Sequence, residues 1–276
     1  MQTDPSLAGR VAIVTGASRG LGREMAIEMA AAGMRLTLVG SVPSPALDET
    51  EAEIRAAGGQ AISVAVDVAD YAACEAAVAR TVSEFGRIDV VVNNAGLGMR
   101  LISERFNVEP TRFWEASPDA WRRIIDANVN GAFNMARAAV PLMVAKGFGK
   151  VINISTSDQT MVRKGYSPYG PSKAALEAMS RVWAQDLEGT GVDVNVYLPG
   201  GAADTDLLPP GPGKKGADGN LLPASIMRRG ILWLCSDASN GATGGRYIAR
   251  LWDDTMPPAE AAAGARTPQA AKPAIM

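Results

Sequence analysis

Histidine is absent from all 276 residues. No Ser-His-Asp triad, Cys-His pair or His-ligated metal can be built inside such a chain. Cysteine is almost absent as well: Cys74 and Cys235 are the only two, and they form no C-x-x-C pair. This argues against a disulfide framework or a zinc site and fits a reducing, cytoplasmic setting. No metal site is therefore expected. No apolar run approaches the ~18 residues of a membrane span. The opening Met1-Gln2-Thr3-Asp4-Pro5 lacks the basic start and apolar core of an export leader. Excess charge is also missing. A net charge of −2 points away from nucleic acid and from an anionic membrane surface.

What is present is apolar residues, 47% of the chain, in patterns that alternate between strand and helix. That content and length suit one large α/β domain, over residues 1–252, followed by an Ala- and Pro-rich tail at 253–276. Residues 10–15 form a nearly continuous apolar run, the mark of a buried parallel strand. Gly16-Ala17-Ser18-Arg19-Gly20-Leu21-Gly22 follows at once, and a helical pattern runs from there to Gly33. Strand, glycine loop and helix make a nucleotide-binding unit, in which glycines admit a pyrophosphate and the helix N-terminus supplies donors. The second strand, 36–39, ends at Gly40-Ser41. A NAD site carries an acid about 20 residues after its glycines, and none stands here. Arg19 lies inside the loop, where a guanidinium suits a 2′-phosphate. NADP(H) is therefore expected over NAD(H), with NAD(H) still possible.

Further strands are expected at 61–66, 88–92, 150–154 and 192–198, with a short last one near 246–251. Helices are expected at 71–85, over 118–146 with Asn128 near its middle, and around Ile226, Ile231 and Leu234. Residues 97–117 show no clear strand. Residues 206–223, rich in Pro, Gly and Lys, read as a mobile surface loop or a substrate lid. The stretch from Asp253 reads as poorly ordered.

Tyr169 and Lys173 lie four residues apart in a segment that favours a helix, which puts both side chains on one face. A phenol titrates near pH ~10, and a nearby ammonium lowers that value. Such a pair suits proton transfer near neutral pH.

In order along the chain stand Thr15-Gly16-x-x-x-Gly20-x-Gly22, Asp67, Asn93-Asn94-Ala95-Gly96, Asn128, Tyr169-x-x-x-Lys173 and Pro199-Gly200. This set resembles the classical short-chain dehydrogenase/reductases over roughly residues 8–252. The resemblance implies a three-layer αβα Rossmann-type fold, doubly wound, with a seven-stranded parallel sheet. It implies hydride transfer between a nicotinamide and a small carbonyl or secondary alcohol. Tyr169 would pass the proton, and Lys173 would bond the nicotinamide ribose and lower the tyrosine's pKa. Asn128 would hold a water leading from Lys173 to solvent. Gly16, Ser18, Arg19, Gly20, Leu21, Gly22 and Ser41 would face the phosphates and ribose. Asp67 and Val68 would meet the adenine, Asn94, Ala95 and Gly96 the adenosine side, and Pro199, Gly200 and Thr205 the nicotinamide. The helices carrying Asn128 and Tyr169, apolar on several sides, would pair in a homo-oligomer, a tetramer or a dimer.

The chain departs from this pattern in places. Where the family carries its serine, thirteen residues before the tyrosine, stands Thr156, between Ser155 and Ser157. Thr156 has the same hydroxyl donor, and Ser157 is the next candidate. Residues 97–117, with Phe106, Phe113 and Trp114, exceed the expected length and would wall a pocket or cover a subunit contact. Thr205 comes one residue late, and Trp252-Asp253-Asp254 replaces the usual ending. A second reading follows from the altered serine place: a catalytically weak NADPH-binding sensor or scaffold.

Overall fold

A computed structural model describes residues 4–211, 213–216 and 218–267. Its centre is a parallel sheet in the order β3-β2-β1-β4-β5-β6-β7. The strands are β1 (Val11–Thr15), β2 (Arg35–Gly40), β3 (Gln60–Ala65), β4 (Val90–Asn93), β5 (Gly149–Ile154), β6 (Val192–Leu198) and β7 (Arg246–Ile248). Every pairing is parallel, as in Ile13↔Thr37 and Ile13↔Val91 on the two sides of β1. Every residue of β1, β5 and β6 is buried, including the polar Lys150 and Asn153 of β5 and Asp193 and Asn195 of β6.

The period of two in β1 divides the core. Ala12 and Val14 point into one apolar layer with Met25, Met29, Leu36, Leu38 and Tyr197. Ile13 points into the other, with Val39, Val78, Met135, Ala139 and Val194. Helices α1 (Gly20–Ala31), α8 (Ile231–Cys235) and α9 (Pro258–Ala265) cover the first face. Helices α3 (Tyr71–Phe85), α5 (Gly131–Lys146) and α7 (Tyr169–Asp186) cover the second. Helix α2 (Pro45–Ala56) links β2 to β3, α4 (Pro118–Ile125) leads into α5, and α6 (Asp158–Met161) follows β5. The doubly wound three-layer sandwich follows from these alternations. The strand order reverses between β1 and β4, and that point opens a crevice at the strands' C-terminal ends.

Three local features depart from the sequence reading. The helix over 118–146 contains a π-helical stretch, Asp126–Asn130, centred on Asn128. The helix expected around Ile226, Ile231 and Leu234 is two pieces, a 3-10 turn at Ala224–Arg228 and α8. Gly230 separates them at φ +65°, where a Cβ would stand 2.6 Å from the Trp252 ring. The segment after Trp252, expected to be poorly ordered, forms α9 and buries Ala261, Ala262 and Ala265. Its end reaches the sheet, where Arg266 bridges Tyr247 and the Thr267 amide donates to the Arg246 carbonyl at 2.9 Å. The tail beyond Thr267 lies outside the described residues. Among the described residues no helix is long and apolar enough to cross a membrane.

Candidate active site

The crevice between β1 and β4 is pinned by polar side chains. The Thr15 hydroxyl accepts from the amides of Asn94 (3.0 Å) and Ala95 (2.9 Å). The Asn94 side-chain amide donates to the carbonyls of Thr15 (2.9 Å) and Gly16 (3.0 Å). Gly16 turns at φ +66°, and a Cβ on Gly22 would sit 2.2 Å from the Gly16 oxygen. Only glycine allows this approach. Helix α1 then begins without a side-chain cap, since its N-cap residue, Arg19, carries donors and no acceptor. Its first amides face the crevice mouth as donors, a fit for a pyrophosphate.

Around this loop lie the other residues expected to meet a dinucleotide. Ser18 gives its carbonyl to Thr50, and Ser41 is exposed just past β2. Asp67, past the end of β3, accepts from the Ala69 amide at 3.0 Å, and Val68 is buried beside Gly131. Gly200 turns at φ +90° beyond β6, and Pro199 accepts from the Arg250 amide at 3.1 Å. Leu21 lines the cleft described below, and the Thr205 methyl packs where a Cβ on Gly20 would stand, at 3.0 Å. Arg19 is exposed and forms an ion pair with Asp206 at 3.0 Å. The guanidinium offered to a 2′-phosphate thus already has a carboxylate partner from the 206–223 loop.

Asn128 sits at the heart of the π-helical stretch and is buried. Such stretches re-aim one residue of a helix. Its side-chain oxygen accepts from the Leu97 amide at 2.8 Å, and its amide donates to the Leu97 carbonyl (3.0 Å) and to the Ser172 hydroxyl (2.9 Å). The side chain read as the holder of a water is therefore committed to protein. It staples the segment after β4 to α7. Gly96 admits the staple: a Cβ there would lie 3.0 Å from the Asn128 oxygen and 3.7 Å from the Lys173 Nζ.

Tyr169 and Lys173 occupy the first turns of α7, and both are buried. Lys173 Nζ donates to the Ile154 carbonyl, at the end of β5, at 2.8 Å. Burial pushes its pKa down to about 8, against the pull of Glu177 one turn further on. Burial pushes the Tyr169 phenol up to about 12, with the Thr156 hydroxyl opposing. The expected lowering of the phenol by Lys173 is not what the structure gives. The ammonium is turned to Ile154, and desolvation of the phenolate outweighs it.

Of the three hydroxyls after β5, that of Thr156 is the one near enough to the Tyr169 phenol to oppose the rise of its pKa, and both residues line one cleft. Ser157 is spent capping α6, where it accepts from the Thr160 amide at 3.3 Å. Ser155 is buried, and its hydroxyl has no partner among the described residues. These groups open onto a cleft of about 380 Å³. Met99, Phe106 and Tyr166 wall it, with Leu207 and Lys215 from the loop after β6. Phe106 packs edge-on against Tyr166, ring centres 5.4 Å apart. Part of the 97–117 segment thus walls the pocket. Its Phe113 and Trp114 stay on the surface, 65% and 67% exposed. Arg163, Arg246 and Arg250 also line the cleft. Arg163 lies more than 80 residues before the other two and none of the three sits in a recognised motif, so the fold is what brings them here.

A glycine-lined crevice at the switch point of a parallel sheet, beside a buried Tyr-x-x-x-Lys pair, defines a nicotinamide-dependent oxidoreductase acting on CH–OH or C=O groups. The family profile described as short chain dehydrogenase matches residues 10–211, and the chain belongs to the short-chain dehydrogenase/reductase family. It is 36% identical over 195 residues to a 3-oxoacyl-[acyl-carrier-protein] reductase of Synechocystis, covering 71% of this chain and 75% of that protein. It is 33% identical over 244 residues to the 2,5-dichloro-2,5-cyclohexadiene-1,4-diol dehydrogenase LinX of Sphingobium indicum, covering 86% and 93%. A solved metagenomic short-chain oxidoreductase in complex with NADP aligns with TM-score 0.64 at 33% identity, covering 71% of this chain and 84% of that one.

Proposed function

We propose that this enzyme prefers NADP(H) and interconverts a small ketone and its secondary alcohol. The observation that carries the reading is the place of Tyr169, which lines the cleft together with Thr156 and stands one helical turn before buried Lys173. Bound in the crevice, a nicotinamide would supply or take the hydride. Tyr169 would donate its proton to the carbonyl oxygen in reduction and withdraw it in oxidation. Thr156 would orient that oxygen with a second hydrogen bond. Lys173 would replenish the phenol's proton and bond the ribose, and Asn128 would hold α7 in register with the crevice. Gly16, Gly20, Gly22 and the opening amides of α1 would carry the pyrophosphate, and Arg19 the 2′-phosphate.

The absence of an acid at Gly40-Ser41 supports NADP(H), as does the neighbour that holds NADP. A proton donor set inside a walled cleft favours turnover over a sensor or scaffold role. Two free buried thiols are in keeping with a cytoplasmic setting.

The relatives' names include a 3-oxoacyl reductase and a cyclic diol dehydrogenase. A test panel therefore pairs β-keto esters and thioesters with cyclic ketones and diols. With the fastest substrate, Tyr169→Phe should lower turnover at least ~10²-fold. NADPH binding by fluorescence should stay within about threefold, because the ring is kept. Near-normal turnover in this variant would refute the assignment.

A further inference from the structure

One ion pair beside the cleft has no part in the roles above. Arg246 opens β7, and its Nε donates to both carboxylate oxygens of Glu177, at 3.1 and 3.0 Å. Its Nη2 donates to the main-chain carbonyl of Thr156 at 2.9 Å. Both side chains are largely buried, 18% and 19% exposed. Glu177 follows Lys173 by one turn of α7 and Tyr169 by two. A single guanidinium thus joins the helix that carries Tyr169 to the loop that carries Thr156.

The loop needs such a joint. The last sheet bond on β5's side runs from the Ser155 amide to the Tyr197 carbonyl, at 3.0 Å. At Thr156 the main chain leaves the sheet, and by Ser157 it is already capping α6. A rotation about the intervening peptide would swing the Thr156 hydroxyl away from Tyr169. The planar guanidinium fixes that peptide by its carbonyl, and Glu177 fixes the guanidinium. Lysine, with one mobile ammonium, could not span both partners in the same plane.

We propose that Arg246, clamped by Glu177, is a positioning residue that holds the Thr156 peptide so that the Thr156 hydroxyl faces Tyr169. The assignment rests on the reading of Tyr169 and Thr156 given above. Arg246 acts through Thr156, and its loss is therefore felt only where the Thr156 hydroxyl is present.

The test is a set of double-mutant cycles with the fastest substrate of the panel. Glu177→Gln keeps the shape of the clamp and does not line the cleft; Arg246→Met removes the fork. Each should lower kcat about tenfold, with KM for NADPH within twofold. In a Glu177→Gln background, Arg246→Met should cost less than it does alone, because the clamp is already loosened. In a Thr156→Ala background Arg246→Met should cost nothing further, whereas a residue needed only for folding would cost the same in both backgrounds; Glu177→Gln is left out of that comparison because it also removes the pull on Lys173. Arg246→Lys should recover part of the loss at most. Hydrogen exchange needs no substrate: amides of residues 155–161 should exchange several-fold faster in Arg246→Met. Full kcat in both single variants, equal losses in both backgrounds, or unchanged exchange would overturn the proposal. Should Tyr169→Phe abolish turnover while Arg246→Met does not, only the positioning role fails. If Tyr169→Phe is active, the underlying reading fails.

Discussion

Thr156 stands where the family pattern has a serine, and the extra methyl does not displace its hydroxyl from Tyr169. Thr156→Ala should lose about 2–4 kcal/mol of transition-state stabilisation, the scale of an oxyanion donor. Ser157→Ala should leave turnover within about twofold and cost ~1 kcal/mol of stability at most, because that hydroxyl serves as a cap. Ser155→Ala should be near neutral on both counts. Kinetics and urea midpoints of the three variants check this ranking, and a dominant Ser157 would reverse it. Arg19 carries the second residue-level expectation. Its pair with Asp206 is exposed on both sides, 71% and 59%, and exposed pairs are weak. Asp206→Asn should therefore raise the NADPH-over-NADH ratio of kcat/KM about two- to fivefold, and Arg19→Ala should erase most of it. A ratio that is insensitive to both would separate Arg19 from the 2′-phosphate. Thr156 was pointed to by the family resemblance, which sets a hydroxyl thirteen residues before Tyr169, with Ser157 as the next candidate. Arg246 was not, because its partners lie 69 and 90 positions away in sequence.

Helix α7 sets what its residues can do. By burying Lys173 it brings the ammonium's pKa from 10.5 down to about 8. Between those values the unfolded chain holds a proton that the folded chain has released. Stability contributed by this group therefore rises with pH across that window. Tyr169 acts in the opposite sense above pH 10, where the unfolded phenol ionises and the folded one does not. From pH 7.5 to 9.5 the cofactor-free enzyme should gain about 1–2 kcal/mol relative to Lys173→Met. Urea unfolding at the two pH values reads the difference, and parallel behaviour of the two proteins would contradict a depressed lysine. The central strands β1 and β4 were legible because burial on both faces favours nearly continuous apolar runs. The π-helical stretch at Asn128 was not, since it differs from an α-helix by one residue of hydrogen-bond register. The break at Gly230 depends on the Trp252 ring, and α9 on the apolar layer it covers. Neither contact has a local signal.

On the scale of the whole molecule, the second helical layer is not finished by the chain itself. Met135, Ala136 and Ala139 of α5 are buried within the chain. Phe133 on α5 and Val182 on α7 remain 47% and 53% exposed. We propose that these two helices pair with a second copy, giving a dimer or tetramer. Light scattering at micromolar concentration should show the oligomer, and Phe133→Glu with Val182→Glu should release monomer. A monomeric parent protein would end this proposal. The β7 edge of the sheet is partly covered. Arg266 and Thr267 lie along the outer side of β7 and take up main-chain groups of Tyr247 and Arg246. A bare last strand is a template on which another molecule's strand can grow into a fibre. In this enzyme Arg266 and Thr267 already occupy part of that edge, so the segment after Trp252 narrows the room for a foreign strand beside β7.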